Sequence, residues 1–183
     1  RAEKLKTMGN IGGSLAHNYR TIDTPNANPS QTPNNFHSLK DSEAVKAAIS
    51  ERLPEKRRSD AVLCVEYMIT ASPEWQGWND ERQNEYFKQA VDWLEQRHGK
   101  HNVVATSIHR DETTPHLIAY VVPLDQDTGI LNAKKFLGGK AKLAEMQSSF
   151  SDHVKNLGLK RGIEGSKAKH TRIKEYYAKV NEP

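Results

Sequence analysis

Two runs of β-favouring residues lie close together in the second half of the chain. Asn102 to Ile108 carries Val103, Val104, Ala105, Thr106 and Ile108, and Leu117 to Val122 is almost wholly apolar. With Gly, Pro and Asp residues between and around them, the pattern predicts a β-hairpin. A further strand is predicted from Asp60 to Thr70, where Ala61, Val62, Leu63, Val65, Tyr67 and Ile69 give high β-propensity. Glu66 interrupts that run on the face shared with Val62, Cys64 and Met68. Buried alone, a carboxylate there would be costly, so it is expected to face solvent, a basic partner or a site.

Helical spacing governs most of the rest. Asp41 to Leu53 reads as a helix that stops before Pro54. Asn79 to Arg97 is the clearest helix: Asn79 can cap it, Gly99 ends it, and Tyr86, Phe87, Ala90, Trp93 and Leu94 form an apolar stripe. Those aromatics read as core, not as a base-stacking platform. A third helix is predicted from Lys140 to Asn156, with Leu143, Met146, Phe150 and Val154 inward. A last one, basic at its start, is predicted from Ser166 to Val180. Residues 23–37 hold three prolines and four asparagines, which predicts an extended irregular segment. The stretch Gly9 to Arg20 begins glycine-rich and ends polar, without the spacing of a phosphate-binding P-loop. The element order predicts an α+β domain spanning 1–183: a central antiparallel sheet with helices packed on one face, the other left free for a ligand.

Composition narrows the classes. Cys64 is the single cysteine, which excludes an internal disulfide and fits a reducing compartment. No apolar run is long enough to span a bilayer and no signal-peptide pattern opens the sequence, so a cytoplasmic protein is expected. The first residue is not Met, and the chain is expected to begin inside or just after an N-terminal strand. The net charge is +4. Its distribution says more than its size: residues 1–6, Lys56-Arg57-Arg58, Lys134-Lys135 and the stretch from Lys155 to Lys174 concentrate the positive charge and favour a nucleic-acid partner.

The candidate chemistry sits at the predicted hairpin turn, His109-Arg110-Asp111-Glu112-Thr113-Thr114-Pro115-His116. A hairpin places His109 and His116 opposite each other on one face, with Asp111 and Glu112 in the loop. That set suits a divalent metal, Mn²⁺, Mg²⁺ or Zn²⁺, with a position left for water or substrate. A polar turn whose histidines only hydrogen-bond at the sheet edge is the plainer reading.

Three blocks resemble the relaxase domain of MobV (Mob/Pre-type) plasmid mobilisation proteins, a branch of the HUH endonucleases. They are Gly9-Asn10-Ile11-Gly12-Gly13 followed by His17-Asn18-Tyr19-Arg20, then Asp60-Ala61-Val62-Leu63-Cys64 with Glu66, then His109 to His116 running into Val121-Val122-Pro123. Ser166-Lys167-Ala168-Lys169-His170 is a weaker fourth. The resemblance implies the HUH relaxase fold with its ferredoxin-like palm, as the N-terminal part of a longer protein. It also implies metal-dependent nicking of one DNA strand at a plasmid origin of transfer. His17 would attack phosphorus, giving a 5′-phosphate held on histidine, a free 3′-hydroxyl and later religation. The family's motif of histidine, hydrophobe, histidine reads His116-Leu117-Ile118 here, so one motif histidine is replaced by Ile118. Glu112 matches the family's loop glutamate and is expected to complete the metal set with His109 and His116. Glu66 is assigned to the catalytic group, orienting a ligand or His17.

By motif position and charge, Asn18, Arg20, Lys167, Lys169, His170 and Arg172 are the expected DNA contacts. The partners implied are origin DNA, as a hairpin plus single strand, the coupling protein of a type IV secretion system, and a second copy joined through a C-terminal region beyond Pro183. Two other readings compete. One is an origin-binding module or repressor that does not cleave; the other is a rolling-circle replication initiator using Tyr176 or Tyr177.

Overall fold

The computed structural model describes residues 1–163. A five-stranded antiparallel sheet organises them, in the order β1-β3-β5-β4-β2. The strands are β1 (Ala2–Leu5), β2 (Phe36–His37), β3 (Cys64–Ile69), β4 (Val103–His109) and β5 (His116–Val121). A two-stranded ribbon, β6 (Leu124–Asp125) with β7 (Ile130–Leu131), follows. The hairpin predicted from the two β-favouring runs is β4–β5, and the chain opens on a strand, as expected. The strand expected from Asp60 begins only at Cys64, because its partner β1 ends at Leu5, the residue paired with Cys64.

Helices α3 (Asp80–His98) and α5 (Gly139–Val154) pack on one sheet face. There Val65, Tyr67, Ile69, Leu117, Ala119 and Val121 meet Phe87, Ala90, Leu94 and Val154. α3 has the predicted caps: Asn79 accepts from the Arg82 amide, and Gly99 ends the helix at φ +88°. Leu143, expected inward, is 39% exposed. The reason is axial. Trp93 bonds Ser149 and Arg97 bonds Glu145, so the pairing of the two helices places Leu143 level with the end of α3.

The α+β class stands, but the second face is not free. Helices α1 (Met8–Asn18) and α2 (Ser42–Arg52) cover part of it, with Ile11, Leu15, Val45 and Ile49 over Cys64, Ala105, Ile118 and Tyr120. β5 lies between the two layers, and all six of its residues are buried. α1 is the helix that the glycine-rich pattern concealed. Gly9, Gly12 and Gly13 together weaken it by about 3 kcal/mol relative to alanine. Full burial of Ile11 and Leu15 returns roughly that much or more. Thr7 caps the helix by accepting from the Asn10 amide at 3.0 Å. A short helix, α4 (Ala133–Leu137), was not predicted; Asn132 caps it and Phe136 and Leu137 anchor it. Among the described residues no helix is long and apolar enough to cross a membrane.

Candidate active site and metal centre

Register pairs His109 directly with His116 at the turn end of the β4–β5 hairpin, so both rings stand on the face that carries α1. Both are buried. His109 Nε2 donates to the main-chain carbonyl of Asn18 at 2.9 Å, and His116 Nδ1 to that of Thr114 at 3.1 Å. Because a carbonyl only accepts, these two nitrogens carry the protons. The lone pairs are left on His109 Nδ1 and His116 Nε2, 3.1 Å apart. A positive charge relieves their repulsion: the Arg20 guanidinium lies 3.2 Å from His109 Nδ1, and a metal ion between the donors would meet both. Glu112 Oε1 is 3.8 Å from His116 Nε2, and the ligand atoms of His109, Glu112 and His116 all lie within 4.8 Å of one another. Metal-binding histidines commonly tie the far nitrogen to a carbonyl in this way. The donors therefore fit a divalent cation. Burial, then the Arg20 charge, pushes the His109 pKa down to about 3, so the ring keeps its lone pair.

Arg20 organises the loop that supplies Glu112. It closes the C-terminus of α1 in the left-handed region, φ 54°, where the Thr21 amide reaches back to the Ala16 carbonyl. This unusual backbone for a side-chain-bearing residue turns the guanidinium inward. Its Nε and Nη2 grip Asp111 at 2.9 and 2.8 Å, and Nη2 also reaches Glu112 at 2.8 Å and His109 Nδ1 at 3.2 Å. Burial opposes the Asp111 charge, but hydrogen bonds from Arg20 and Thr32 outweigh it and hold the carboxyl well below the usual carboxylate range. Asn26, from the irregular segment, donates to the other Glu112 oxygen at 2.6 Å. The segment thereby fixes the position of the Glu112 carboxylate.

His17 lies on the α1 stripe Asn10, Gly13, Ser14 and His17, which lines a cleft of about 580 Å³. Glu66, Met68, His109, Glu112, His116 and Ile118 also line it. Burial, then the Arg20 charge, lowers the His17 pKa, which favours neutral, nucleophilic imidazole. Glu66 accepts hydrogen bonds from Ser14 Oγ and from Arg1 Nη2, the latter at 3.1 Å. Ser14 Oγ in turn lies 2.7 Å from Tyr120 OH. The mid-strand carboxylate therefore has both a basic partner and a place in the cleft. Ile118 shares the face of His116 and offers the cleft only an apolar wall.

Two residues expected to meet DNA are placed otherwise. The Arg20 side chain is 9% exposed and committed to Asp111 and Glu112. Asn18 is buried, donating from Nδ2 to Ser107. Both hold the site together from within. Lys167, Lys169, His170, Arg172, Tyr176, Tyr177 and the helix expected from Ser166 to Val180 lie outside the described residues. The contributions of Ser14 and Asn26 were not read from the sequence, since neither residue type signals a role without its fold.

Residues 1–178 match the Mob_Pre family, described as plasmid recombination enzyme. The chain is 35% identical to the 65 kDa protein of Zymomonas mobilis over 99% of its own length and 32% of that protein. It is 34% identical to the type 3 plasmid recombination enzyme of Staphylococcus aureus, over 88% of this chain and 38% of the relative. It thus spans about a third of the length of the curated relatives it matches. The fold is similar to that of the MobM relaxase domain (MOBV) in its manganese-bound crystal structure with oriT DNA of plasmid pMV158, with TM-score 0.83 and 30% identity over 98% of this chain and 97% of that one. A complex of the same domain with a 3′-thiophosphate DNA gives TM-score 0.82 at 30% identity. Sequence and fold agree along nearly the whole length, and the chain belongs to the Mob_Pre family of plasmid recombination enzymes.

Proposed function

We propose that this chain is the relaxase domain of a plasmid mobilisation protein, cutting one strand of DNA at an origin of transfer and later rejoining it. The observation that carries the reading is a single cleft holding His17, whose pKa is lowered, and the converging donors His109, Glu112 and His116. The oriT DNA and manganese in the MobM structures support the same substrate and cofactor here.

Neutral His17 attacks phosphorus, and a P–N bond forms as the P–O3′ bond breaks. The 5′-phosphate stays on His17, while the proton lost from the imidazole balances the one gained by the 3′-oxygen. Attack by that hydroxyl on the phosphohistidine reverses the step and religates the strand. Glu66, held by Ser14 one helical turn before His17, is the carboxylate suited to orient it. His109, Glu112 and His116 would hold Mn²⁺ or Mg²⁺, with Zn²⁺ also compatible. When bound, the ion supplies Lewis-acid stabilisation of charge on the scissile phosphate. Lys167, Lys169, His170 and Arg172 are assigned to phosphate contacts, and binding weakens steeply with salt as counterion release requires. The role calls for bacterial cytoplasm, a type IV secretion coupling protein, and a second copy joined outside residues 1–183.

Nicking of supercoiled plasmid carrying the cognate origin, with Mn²⁺ or Mg²⁺ against chelator, tests the reading. Metal-dependent nicking lost in His17→Ala, with the DNA adduct mapped to His17, is the expected result. Nicking that survives His17→Ala moves the nucleophile elsewhere. Origin binding without nicking under either metal replaces the enzyme with a binding module.

A further inference from the structure

α1 ends beside the metal donors, so whatever fixes its last turn decides where two functional rings sit. His17 belongs to that turn, and the carbonyl of the next residue, Asn18, accepts from His109 Nε2. The buried Asn18 side chain donates to Ser107 Oγ at 3.0 Å, while its Oδ1 meets no partner among the described residues. Ser107 therefore anchors this side chain alone. Ser107 is itself buried, and its cross-strand partner is His37 of β2, with His37 Nδ1 2.8 Å from Ser107 Oγ. The hydroxyl accepts from Asn18, so its one proton is available to His37. Donation then runs from Asn18 to Ser107 to His37. The His37 ring also stacks on Tyr19, with centroids 4.3 Å apart and planes 19° from parallel. The Tyr19 hydroxyl is held in turn by the Leu39 carbonyl at 2.8 Å. A two-residue strand thus grips two successive residues after His17.

We propose that His37 is a positioning residue for the reaction. Through Ser107 and Asn18 it fixes the end of α1, so that His109 presents Nδ1 to the metal and His17 faces the same cleft. Its own ring stands edge-on to that of His109, with centroids 6.0 Å apart, and does not belong to the donor cluster. The inference rests on His109 as a metal ligand and His17 as the nucleophile.

Three variants test it, each read by Mn²⁺ affinity from the electron paramagnetic resonance of free Mn²⁺, by kcat and KM for nicking, and by thermal melting. His37→Phe keeps a ring over Tyr19 but loses the acceptor; His37→Asn offers Oδ1 in place of Nδ1 but loses the stack; Ser107→Ala breaks both hydrogen bonds. Ser107→Ala and His37→Phe should weaken Mn²⁺ binding on the order of tenfold and lower kcat more than they raise KM, with His37→Asn within about twofold of wild type. Unchanged Mn²⁺ affinity and kcat in folded His37→Phe overturn the inference. So does His37→Asn as impaired as His37→Phe, since an acceptor restored at the same position would then fail to rescue the site. Should Ser107→Ala fail to fold, the two His37 variants decide. A wild-type protein that neither binds Mn²⁺ nor nicks overturns the functional reading underneath instead.

Discussion

His109 Nδ1 and His116 Nε2 face each other at 3.1 Å, and in the neutral rings neither nitrogen has a proton to give, because both protons are held by main-chain carbonyls. A bound metal ion would use both lone pairs, of which Arg20 Nη2 meets only that of His109, at 3.2 Å. Glu112 supplies the negative charge of the set, and Arg20 and Asn26 fix its two oxygens. Glu112→Gln keeps the shape and removes the charge. It should lower Mn²⁺ affinity by more than the ~10–100-fold that follows loss of an outer hydrogen-bond partner. Titration of free Mn²⁺ by paramagnetic resonance measures this, and an affinity equal to wild type would remove Glu112 from the ligands.

The Arg20–Asp111 pair links the end of α1 to the hairpin turn with little solvent on either side chain, 9% and 0% exposed. Removing one partner leaves the other charge buried and unpaired, a loss of about 3–5 kcal/mol. Arg20→Ala should therefore be strongly destabilising, and Arg20→Ala with Asp111→Asn substantially less so than the single change. Urea unfolding of the two single variants, the double variant and wild type closes the cycle. Additive effects would mean that the pair does not act as a unit.

His109 and His116 were legible in the sequence because a single hairpin brings them together over seven residues. Strands β3, β4 and β5 were legible by their β-favouring residues, and α3 by its caps. Arg20 and Asp111 stand 91 residues apart, and no local pattern joins them. α1 was concealed because three glycines argue against a helix locally, while the burial that makes it one comes from sheet and α2 residues distant in sequence. Asn18 and Arg20 were expected as DNA contacts for the same reason. Only once α1 is a helix ending at Asn18 does the next turn point them inward.

His98 offers a stability test remote from the cleft. It is buried against Phe136, and its Nε2 lies 2.8 Å from the Tyr67 hydroxyl. Burial, then the Arg97 charge, pushes its pKa from 6.5 down to about 3. Between those values the unfolded chain binds a proton that the native state refuses. Stability is therefore complete above about pH 6.5 and lost as pH falls toward 3, by up to a few kcal/mol. His109, with a similarly low pKa, adds to the same slope in metal-free protein. His98→Phe should flatten the fall of unfolding free energy between pH 6.5 and 4, measured by denaturant titration. An unchanged slope would place the acid sensitivity elsewhere.

The proposed nucleophile makes a separate prediction about rate. His17 must be neutral to attack, and burial followed by Arg20 lowers its pKa, while Glu112 and Glu66 oppose that shift and His116 reinforces it. With Mn²⁺ and DNA saturating, kcat for nicking should fall on the acid side with a midpoint below 6.5, the ordinary histidine value. Glu66→Gln removes a carboxylate that favours the imidazolium, so the remaining activity should show its acid limb at still lower pH. A limb at or above 6.5, or one that stays in place in Glu66→Gln, would mean that a group other than His17 controls the rate. The direction of the Glu66→Gln shift matters most. Loss of a general base would lower the plateau without moving the limb downward, whereas loss of a neighbouring charge moves it toward acid.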